Sequence, residues 1–548
     1  MSDSSPITPD NPISDATSIQ DETNARVAGA TGIISLGNIA SRVLGLAREK
    51  TLAYFFGASP ELNAFRAAVL VPQAFYDLLI GGHVNGAIVP VLTEIVTLEG
   101  RDELWKVVNI LFTLLLMIVS AIVIILEVFA PQIVALTASG FDPELQALTV
   151  NLLRITSPAL IFLALFALFS GTLYALKSFT YPAFAGVMFN AGIVVTIFIL
   201  VPAQQNGLPQ ETVIAAATGW LFGSFLQMAL QMPGLQLSKI RFSFNWRHPA
   251  LRSVGLLYAP VMASLLMDTF VIRFFSYNLA SQTDIEGSIN YMIQPTTLIQ
   301  FPQGLVATAI SIAILPTLAT QAASILDDGL TAFRDTLGLG LRLATTLIIP
   351  ATVGLFVLAT PIVRLLFEGG QFTPENTEIM VIALRLYLIG LPFAAIDLIL
   401  VYALYARKDT LTPALIGLFS HVIYIIVVLL LFDRFGLFSL MIADSVKHVV
   451  HAVISAIWLG RQIKGFGQQN FMMTAVKASL ASSLLAIIGW FTLTWLTDSL
   501  GTIGFINQVL LVLIPGMLAG SGFLVVAYLL DIGELRWLLK LVRQRLVG

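Results

Sequence analysis

Phe141–Gly186, "FDPELQALTVNLLRITSPALIFLALFALFSGTLYALKSFTYPAFAG", aligns without a gap on Phe372–Gly417, "FTPENTEIMVIALRLYLIGLPFAAIDLILVYALYARKDTLTPALIG". Phe141/Phe372, Pro143/Pro374, Glu144/Glu375, Arg154/Arg385, Tyr174/Tyr405, Lys177/Lys408, Pro182/Pro413 and Gly186/Gly417 are identical pairs. Phe75 and Pro90 echo Phe301 and Pro316 more weakly. Each copy contains an apolar run long enough to cross a bilayer. The chain is thus an internal duplication, and its architecture depends on how many spans separate the copies.

The 548 residues are 57% hydrophobic and 11% charged, with a mean hydropathy of +0.88; an ordinary soluble domain has roughly 25% charged residues. The class is an all-α polytopic membrane protein. Apolar runs fall at 27–56, 62–93, 106–129, 147–175, 182–202, 211–232, 250–279, 287–318, 338–359, 376–405, 411–432, 436–460, 472–496 and 507–530, which makes about fourteen transmembrane helices. The two copies are an even number of spans apart, so they keep one orientation and are related by an axis along the membrane normal. Two parallel six-helix repeats follow, an N-lobe at 27–232 and a C-lobe at 250–460, with two extra C-terminal helices within 461–530. Residues 1–26 are rich in Ser, Thr, Asp and Pro and read as a disordered cytoplasmic tail without a signal-peptide pattern. Residues 233–249, containing "LSKIRFSFNWRHP", read as a basic, aromatic linker on the cytoplasmic interface, and 531–548 as a basic cytoplasmic C-terminus.

Loop charge gives the orientation. With the chain starting inside, the inward loops hold Arg26, Arg101, Lys106, Lys177, Lys239, Arg241, Arg247, Arg252, Arg334, Arg407, Lys408, Arg461, Lys464, Arg536, Lys540, Arg543 and Arg545. The outward loops hold only Arg364 and Arg434. This asymmetry follows the positive-inside rule, with both termini cytoplasmic. The chain has no Cys, which excludes disulfides, thiolate metal sites and cysteine nucleophiles. It has no "GxxxxGK[ST]" and no soluble segment large enough for a nucleotide-binding domain, so the sequence describes a transporter, not an enzyme.

Ionised residues at membrane depth are costly and mark function. They are Arg42, Arg48, Glu49, Lys50 and Arg66 in the first two spans, Asp268 and Arg273 in the seventh, and Asp444, Lys447, His448 and His451 in the twelfth. Spans one and seven are equivalent in the repeat and are expected to face each other across a cavity. On an ideal helix Arg42 and Glu49 share a face, while Arg48 points about 120° away; a bend at Gly45 would bring both arginines to one cavity. "GGHVNG", Gly81, Gly82, His83 and on to Gly86, is too Gly-rich for a regular helix and reads as a hinge.

Each of these also has a plainer reading. Arg48, Glu49 and Lys50 can snorkel to an interface, Asp268 and Arg273 can form an internal pair, and Arg154 and Arg385 read as shared framework. Asp444, Lys447, His448 and His451 form one polar stripe at i, i+3, i+4 and i+7. A metal site on Asp444, His448 and His451 is opposed by Lys447, so no metal is assigned. Cavity lining, a proton relay and structural hydrogen bonding remain.

"SRVLGLAREKTLAYFFGAS" from Ser41, with "LNAF", "VPQAFYDLLIGG" and "AIVPVLTE" after it, resembles the opening of the MurJ (MviN) family. These are lipid II flippases of the multidrug/oligosaccharidyl-lipid/polysaccharide exporter superfamily. The resemblance implies two six-helix lobes around a cationic cavity, a lipid-tail groove on spans thirteen and fourteen, and a place in the bacterial plasma membrane, serving cell wall biosynthesis. It places the family's two first-helix arginines on Arg42 and Arg48 and the following acid on Glu49. Three family positions differ: an acid falls on Asn63, a second-helix arginine on Tyr76 and an eighth-helix arginine near Thr297. Arg66 and Arg273 are charges the motif does not predict, and they can restore positive charge from neighbouring positions. A sodium site of some relatives would need Asp268 together with eleventh-helix Asn and Asp, where this chain has Ser420, His421 and Tyr424. The implied partners are lipid II and membrane lipids, with no nucleic acid and no cofactor. The implied protein is a monomer associated with the cell wall synthesis machinery, coupled to the membrane potential or to Na⁺ or H⁺. Three functions stay open: a lipid II flippase, a flippase or ion-coupled exporter for another substrate, and a transport-inactive scaffold.

Overall fold

The computed structural model describes residues 12–79, 88–203, 209–249, 267–323, 327–466 and 469–536. The first half of the chain forms α1 (Pro12–Phe56), α2 (Pro60–Leu79), α3 (Val89–Leu98), α4 (Arg101–Val128), α5 (Ala130–Thr137), α6 (Pro143–Thr156), α7 (Ala159–Ala175), α8 (Thr180–Ala183), α9 (Ala185–Ala203) and α10 (Pro209–Ala229). The second begins with a π-helical turn, Met267–Ile272, running into α11 (Arg273–Ser281). Then come α12 (Ser288–Pro302), a second π turn at Gln303–Thr308, α13 (Ala309–Ala323), α14 (Asp327–Val357), α15 (Ala359–Phe367), α16 (Pro374–Ala406), α17 (Leu411–Phe435), α18 (Phe438–Gln462), α19 (Phe471–Leu500) and α20 (Phe505–Leu529).

Among the described residues, 11 helical stretches are long and apolar enough to cross a membrane. The expected spans outside that set are the first, second and seventh. The first two carry ionised residues, and the seventh lies largely outside the described residues, as do the Gly81, Gly82, His83 and Gly86 hinge and the side chain of Asp268. Two boundaries differ from expectation. α1 reaches back to Pro12, through residues that composition assigns to a disordered tail; 13–28 contain no Gly or Pro, so extending an existing helix costs little. α1 is also continuous past Gly45, so no break there is needed to aim Arg42 and Arg48.

The sequence repeat is a structural repeat at both of its ends. Asp142 caps α6 by accepting from Leu145 N at 2.8 Å. Thr373 caps α16 in a reciprocal box with Asn376. Pro143 and Pro374 each open the helix, where a missing N–H costs nothing. At the other end Lys177 and Lys408 adopt left-handed φ angles of 59° and 62°. Their N–H groups donate to Tyr174 O and Tyr405 O, both at 2.9 Å. The middles diverge: Pro158 divides the first copy into α6 and α7, while the second stays a single 33-residue helix around Pro392.

The two halves meet at the face opposite the basic loops through reciprocal contacts. The loop before α6 packs on the end of α11, where Gly140 N donates to Ser281 Oγ at 3.1 Å and Asn278 Nδ2 to Leu136 O at 2.9 Å. The loop before α16 packs on the end of α1, where Gln371 N donates to Tyr54 O at 2.9 Å. Both contacts are too close for side chains at the nearest glycine. A Cβ on Gly140 would lie 2.3 Å from Ser281 O, and one on Gly370 2.1 Å from Tyr54 O. Between the halves, Asn63 of α2 and Asn290 of α12 bond to each other, Nδ2 of Asn290 donating to Asn63 Oδ1 at 2.8 Å.

α19 packs on α14 and α20. Arg342 of α14 pins them, donating to Glu534 Oε1 at 2.5 Å and Gln469 O at 2.6 Å. The linker after α10 runs along α4. Asn109 bonds Lys239 O and Arg241 N at 3.0 and 2.9 Å, Thr113 accepts from Ser243 N at 2.9 Å, and His248 returns to Glu103 at 3.1 Å. Phe242, Phe244 and Trp246 are exposed on it, as amphipathic interfacial segments require.

Candidate functional site

Arg42, Arg48 and Glu49 lie on consecutive turns of α1, and their pattern alone does not say where they point. The structure brings them together with Arg66 of α2 and Arg273 of α11 around one cavity of about 520 Å³. Gly45, Tyr76 and Thr297 line the same cavity, as do the aromatic rings of Phe189, Trp220 and Tyr277. Elements from both halves of the chain therefore build it, as the repeat requires of a central site.

Glu49 organises the charges. Only 1% of it is exposed, and a buried carboxylate needs partners. Arg48 donates to Glu49 Oε1 from Nη2 at 2.8 Å and, with Nη1, to Asn190 Oδ1 on α9 at 3.0 Å. Arg66 forks onto both oxygens of Glu49, Nη1 reaching Oε1 at 3.3 Å and Nη2 reaching Oε2. Arg66 Nε donates to Asn290 Oδ1 at 3.3 Å, and Asn290 bonds Asn63. The clamp thus runs from α1 through α2 to α12. At Asn63, where the resemblance leads one to expect an acid, a neutral amide accepts from Asn290.

Arg42 sits nearer the basic face and is exposed; its Nη1 donates to the Gln300 carbonyl of α12 at 2.9 Å. Arg273 pairs with Asp77 of α2. Its Nη1 lies 2.7 Å from Asp77 Oδ2, and Asp77 Oδ1 accepts from Gln73 at 2.7 Å. Lys50 is outside the cavity, donating to Leu365 O at 3.0 Å. Among the described residues, the four guanidinium groups of Arg42, Arg48, Arg66 and Arg273 outnumber the carboxylates of Glu49 and Asp77 by two. Such a site is suited to a multiply charged anion.

The stripe on α18 does not line this cavity. Lys447 pairs with Asp444 at 2.6 Å, and His451 Nδ1 lies 2.6 Å from Asp397 Oδ1 of α16. Asp444, Lys447, His448 and His451 are absent from the lining of this cavity, on a helix that packs against α16 and α17. Arg154 and Arg385 are also absent from the lining, and Arg385 lies over the Phe356 ring at 5.3 Å. Sequence reading passed over Asp77, Asn190, Asn290 and Asp397. Asp397 carried a usable signal, an acid within the apolar run "FAAIDLILVY".

Residues 52–512 match the family model described as Lipid II flippase MurJ. The chain belongs to the MurJ family. The Lipid II flippase MurJ of Burkholderia cenocepacia is 30% identical over 394 residues, covering 69% of this chain and 73% of that one. A MurJ structure described as an inward closed conformation superposes with a TM-score of 0.71 at 24% identity, over 89% of this chain and 98% of that one. An inward-facing MATE family transporter of the MOP superfamily shares the fold at a TM-score of 0.61 and 15% identity, over 78% and 96%. In this member of the family the cavity lies between the two halves of the chain, lined from α1, α2, α9 and α10 on one side and α11 and α12 on the other. Its first-helix arginines are the ones that the opening motif supplies.

Proposed function

We propose that this chain is a lipid II flippase of the bacterial plasma membrane, with both termini cytoplasmic. Its task is to carry the undecaprenyl-pyrophosphate-linked head group from the cytoplasmic to the outer leaflet for cell wall biosynthesis. The observation that carries the reading is the excess of positive charge in a cavity shared by the two repeat lobes, 27–232 and 250–460.

A pyrophosphate in a dry bilayer is prohibitively costly. Guanidinium groups offer forked, charge-assisted hydrogen bonds in exchange for its hydration. Arg42 and Arg48 receive the anion, and Glu49 holds Arg48 and Arg66 extended so that their donors stay in the cavity. Arg273, fixed by Asp77, supplies positive charge beside Thr297, where the family arginine is missing. The polyprenyl tail stays in lipid along α19 and α20. No bond is made or broken, so the work is binding and conformational change alone. The reciprocal contacts of Gly140 with Ser281 and of Gln371 with Tyr54 close the face opposite the basic loops, as in an inward-facing state. Transport proceeds as the lobes rock apart there and together at the basic face.

The test is reconstitution of purified protein with lipid II, together with rescue of a flippase-depleted cell. Arg42→Ala and Arg48→Ala are each expected to insert normally and to lower translocation roughly ten- to a hundredfold, the loss of about 1.5–3 kcal/mol of charged hydrogen bonding. Undiminished translocation by both variants would reject the cavity assignment. Rescue without any lipid II translocation would favour the scaffold.

A further inference from the structure

The lining of the central cavity divides by chemistry. Among the described residues its charged groups stand on α1, α2 and α11, while every residue that α7, α9 and α10 contribute is neutral. On that neutral wall two polar side chains wait for partners. Trp220 and Gln227 of α10 are each only 8% exposed. Seven residues separate them, so they share a helix face to within about 20° and stand about 10 Å apart along it. Trp220 Nε1 is a donor only, and it has no acceptor among the described residues. Gln227 lends its main-chain carbonyl to Gln231 Nε2 at 3.2 Å, but its side-chain amide, able to donate twice and accept twice, makes no hydrogen bond among them. The hydroxyl of Tyr76, which lines the same cavity from α2, makes none either.

Buried polar groups in folded proteins are almost always bonded, so a wall that carries several unbonded ones is built for a ligand that brings their partners. Water can meet such groups while the cavity is empty, but it makes no use of the rings beside them. Phe189 of α9 and Trp220 line the cavity together, nearly perpendicular, with ring centres 4.9 Å apart. Gly223 lets the two helices close to this distance: a Cβ there would lie 2.5 Å from Phe189 O. Rigid aromatic faces next to neutral donors and acceptors suit a ligand with an apolar C–H face and a rim of hydroxyl or amide groups. A phosphate finds no cation on this wall, and a carboxylate finds none either.

The position of the wall says which part of the substrate meets it. Phe189 precedes Asn190, whose Oδ1 accepts from Arg48 Nη1 at 3.0 Å. A pyrophosphate on Arg48 therefore places whatever is esterified to it beside Phe189 and Trp220, and in a polyprenyl-pyrophosphate-linked glycan that group is a sugar. The geometry points to a saccharide subsite on the first half of the chain, in which Trp220 and Gln227, with Tyr76 across from α10, bind the sugars that adjoin the pyrophosphate. The inference assigns one part of the substrate proposed above and rests on that reading. Trp220 Nε1 donates to a sugar oxygen, the rings of Phe189 and Trp220 cover the C–H face, and the spacing of Trp220 and Gln227 lets successive sugar rings be held. A ligand without the sugars leaves these groups unpaired, which is how a hydrogen-bonding site rejects it.

The test separates the sugars from the pyrophosphate. Full-length protein in detergent micelles is titrated with three lipids: lipid II, lipid II whose peptide an amidase has removed, and undecaprenyl pyrophosphate. Trp220→Phe and Gln227→Leu keep the ring and the bulk but lose the polar groups. Each is expected to weaken binding of both glycosylated lipids about three- to tenfold, the return on one neutral hydrogen bond, and to leave undecaprenyl pyrophosphate bound as in the parent, which also shows that the variants are folded. Arg48→Ala should weaken all three. Variants that weaken all three lipids equally, variants that weaken none, or a loss seen with intact lipid II and absent once the peptide is removed would each overturn the inference. Lipid II translocation in proteoliposomes is measured separately. Sugar-dependent binding through Trp220 and Gln227 in a protein that moves no lipid II would reject the flippase reading and leave the subsite standing. Translocation by the parent, with affinities blind to both variants, would reject the subsite alone.

Discussion

Glu49 holds two guanidinium groups at once, so removing its charge strands both. Arg66 is only 8% exposed, and breaking a buried pair from one side costs about 3–5 kcal/mol, because the partner's charge is left uncompensated. Glu49→Gln is therefore expected to lower the thermal unfolding temperature in detergent, and Glu49→Gln/Arg66→Gln to recover most of that loss. A double variant no more stable than the single would show that Arg66 does not depend on Glu49. Arg273 makes a different kind of test. Thr297 lines the same cavity, so moving the charge in Arg273→Ala/Thr297→Arg should regain the translocation that Arg273→Ala loses, even though Asp77 is left without its partner. Failure of the relocated charge, with recovery in Arg273→Ala/Asp77→Ala, would make the pair structural. The cavity arginines are legible in sequence because an ionised residue in an apolar run stands out on composition alone. Their partners are not. Asn190 and Asn290 are polar but neutral, and Asp77 sits toward the end of α2, where an acid reads as a surface residue; only folding joins these to residues some two hundred positions away.

At the scale of elements, the repeat was readable because it fixes helix ends as well as helix faces. Lys177 and Lys408 show this most directly, since both hold a left-handed backbone that strains any residue with a Cβ. Replacing either by Gly removes that strain, and each substitution is expected to raise stability by up to about 1 kcal/mol after the greater freedom of glycine in the unfolded chain is subtracted. Thermal unfolding of the two single variants checks this. A fall in both would mean that the lysine side chains hold the turns. Asp409, beside Lys408, tightens the second turn. Burial alone would push its carboxyl up, but the Thr412 N–H at 3.0 Å, with Gln462 and Arg407 nearby, holds it below the usual carboxylate range. A depressed carboxyl stabilises the fold above its ordinary titration range, and that contribution is lost as pH falls through its folded value. The equivalence of the α6/α7 pair to the single helix α16 was less legible. A proline divides one copy at Pro158 and is absorbed by the other at Pro392, and sequence spacing does not distinguish a broken helix from a bent one.

At the scale of the whole molecule, the two halves touch the same way twice. The loop before α6 rests on the end of α11, and the loop before α16 rests on the end of α1. That reciprocity is what an axis along the membrane normal imposes, and it makes one face a gate formed from equivalent parts of two bodies. Opening the gate breaks both contacts together, which favours a two-state motion over a graded one. Ser139 and Asn278 face each other across it, Asn278 Nδ2 donating to Ser139 Oγ at 2.9 Å, and the chain has no Cys to interfere. A short bifunctional crosslinker between Ser139→Cys and Asn278→Cys should form in high yield in the state described here. It should stop lipid II translocation and release it on cleavage, while lipid II still binds at the cavity because Arg42 and Arg48 lie on the other side of the seal. The same cysteines singly modified should leave translocation near the parent level. If the crosslinked protein translocates at the parent rate, the substrate passes without separation of the halves at this face, and the rocking motion must be abandoned for a path through one half alone.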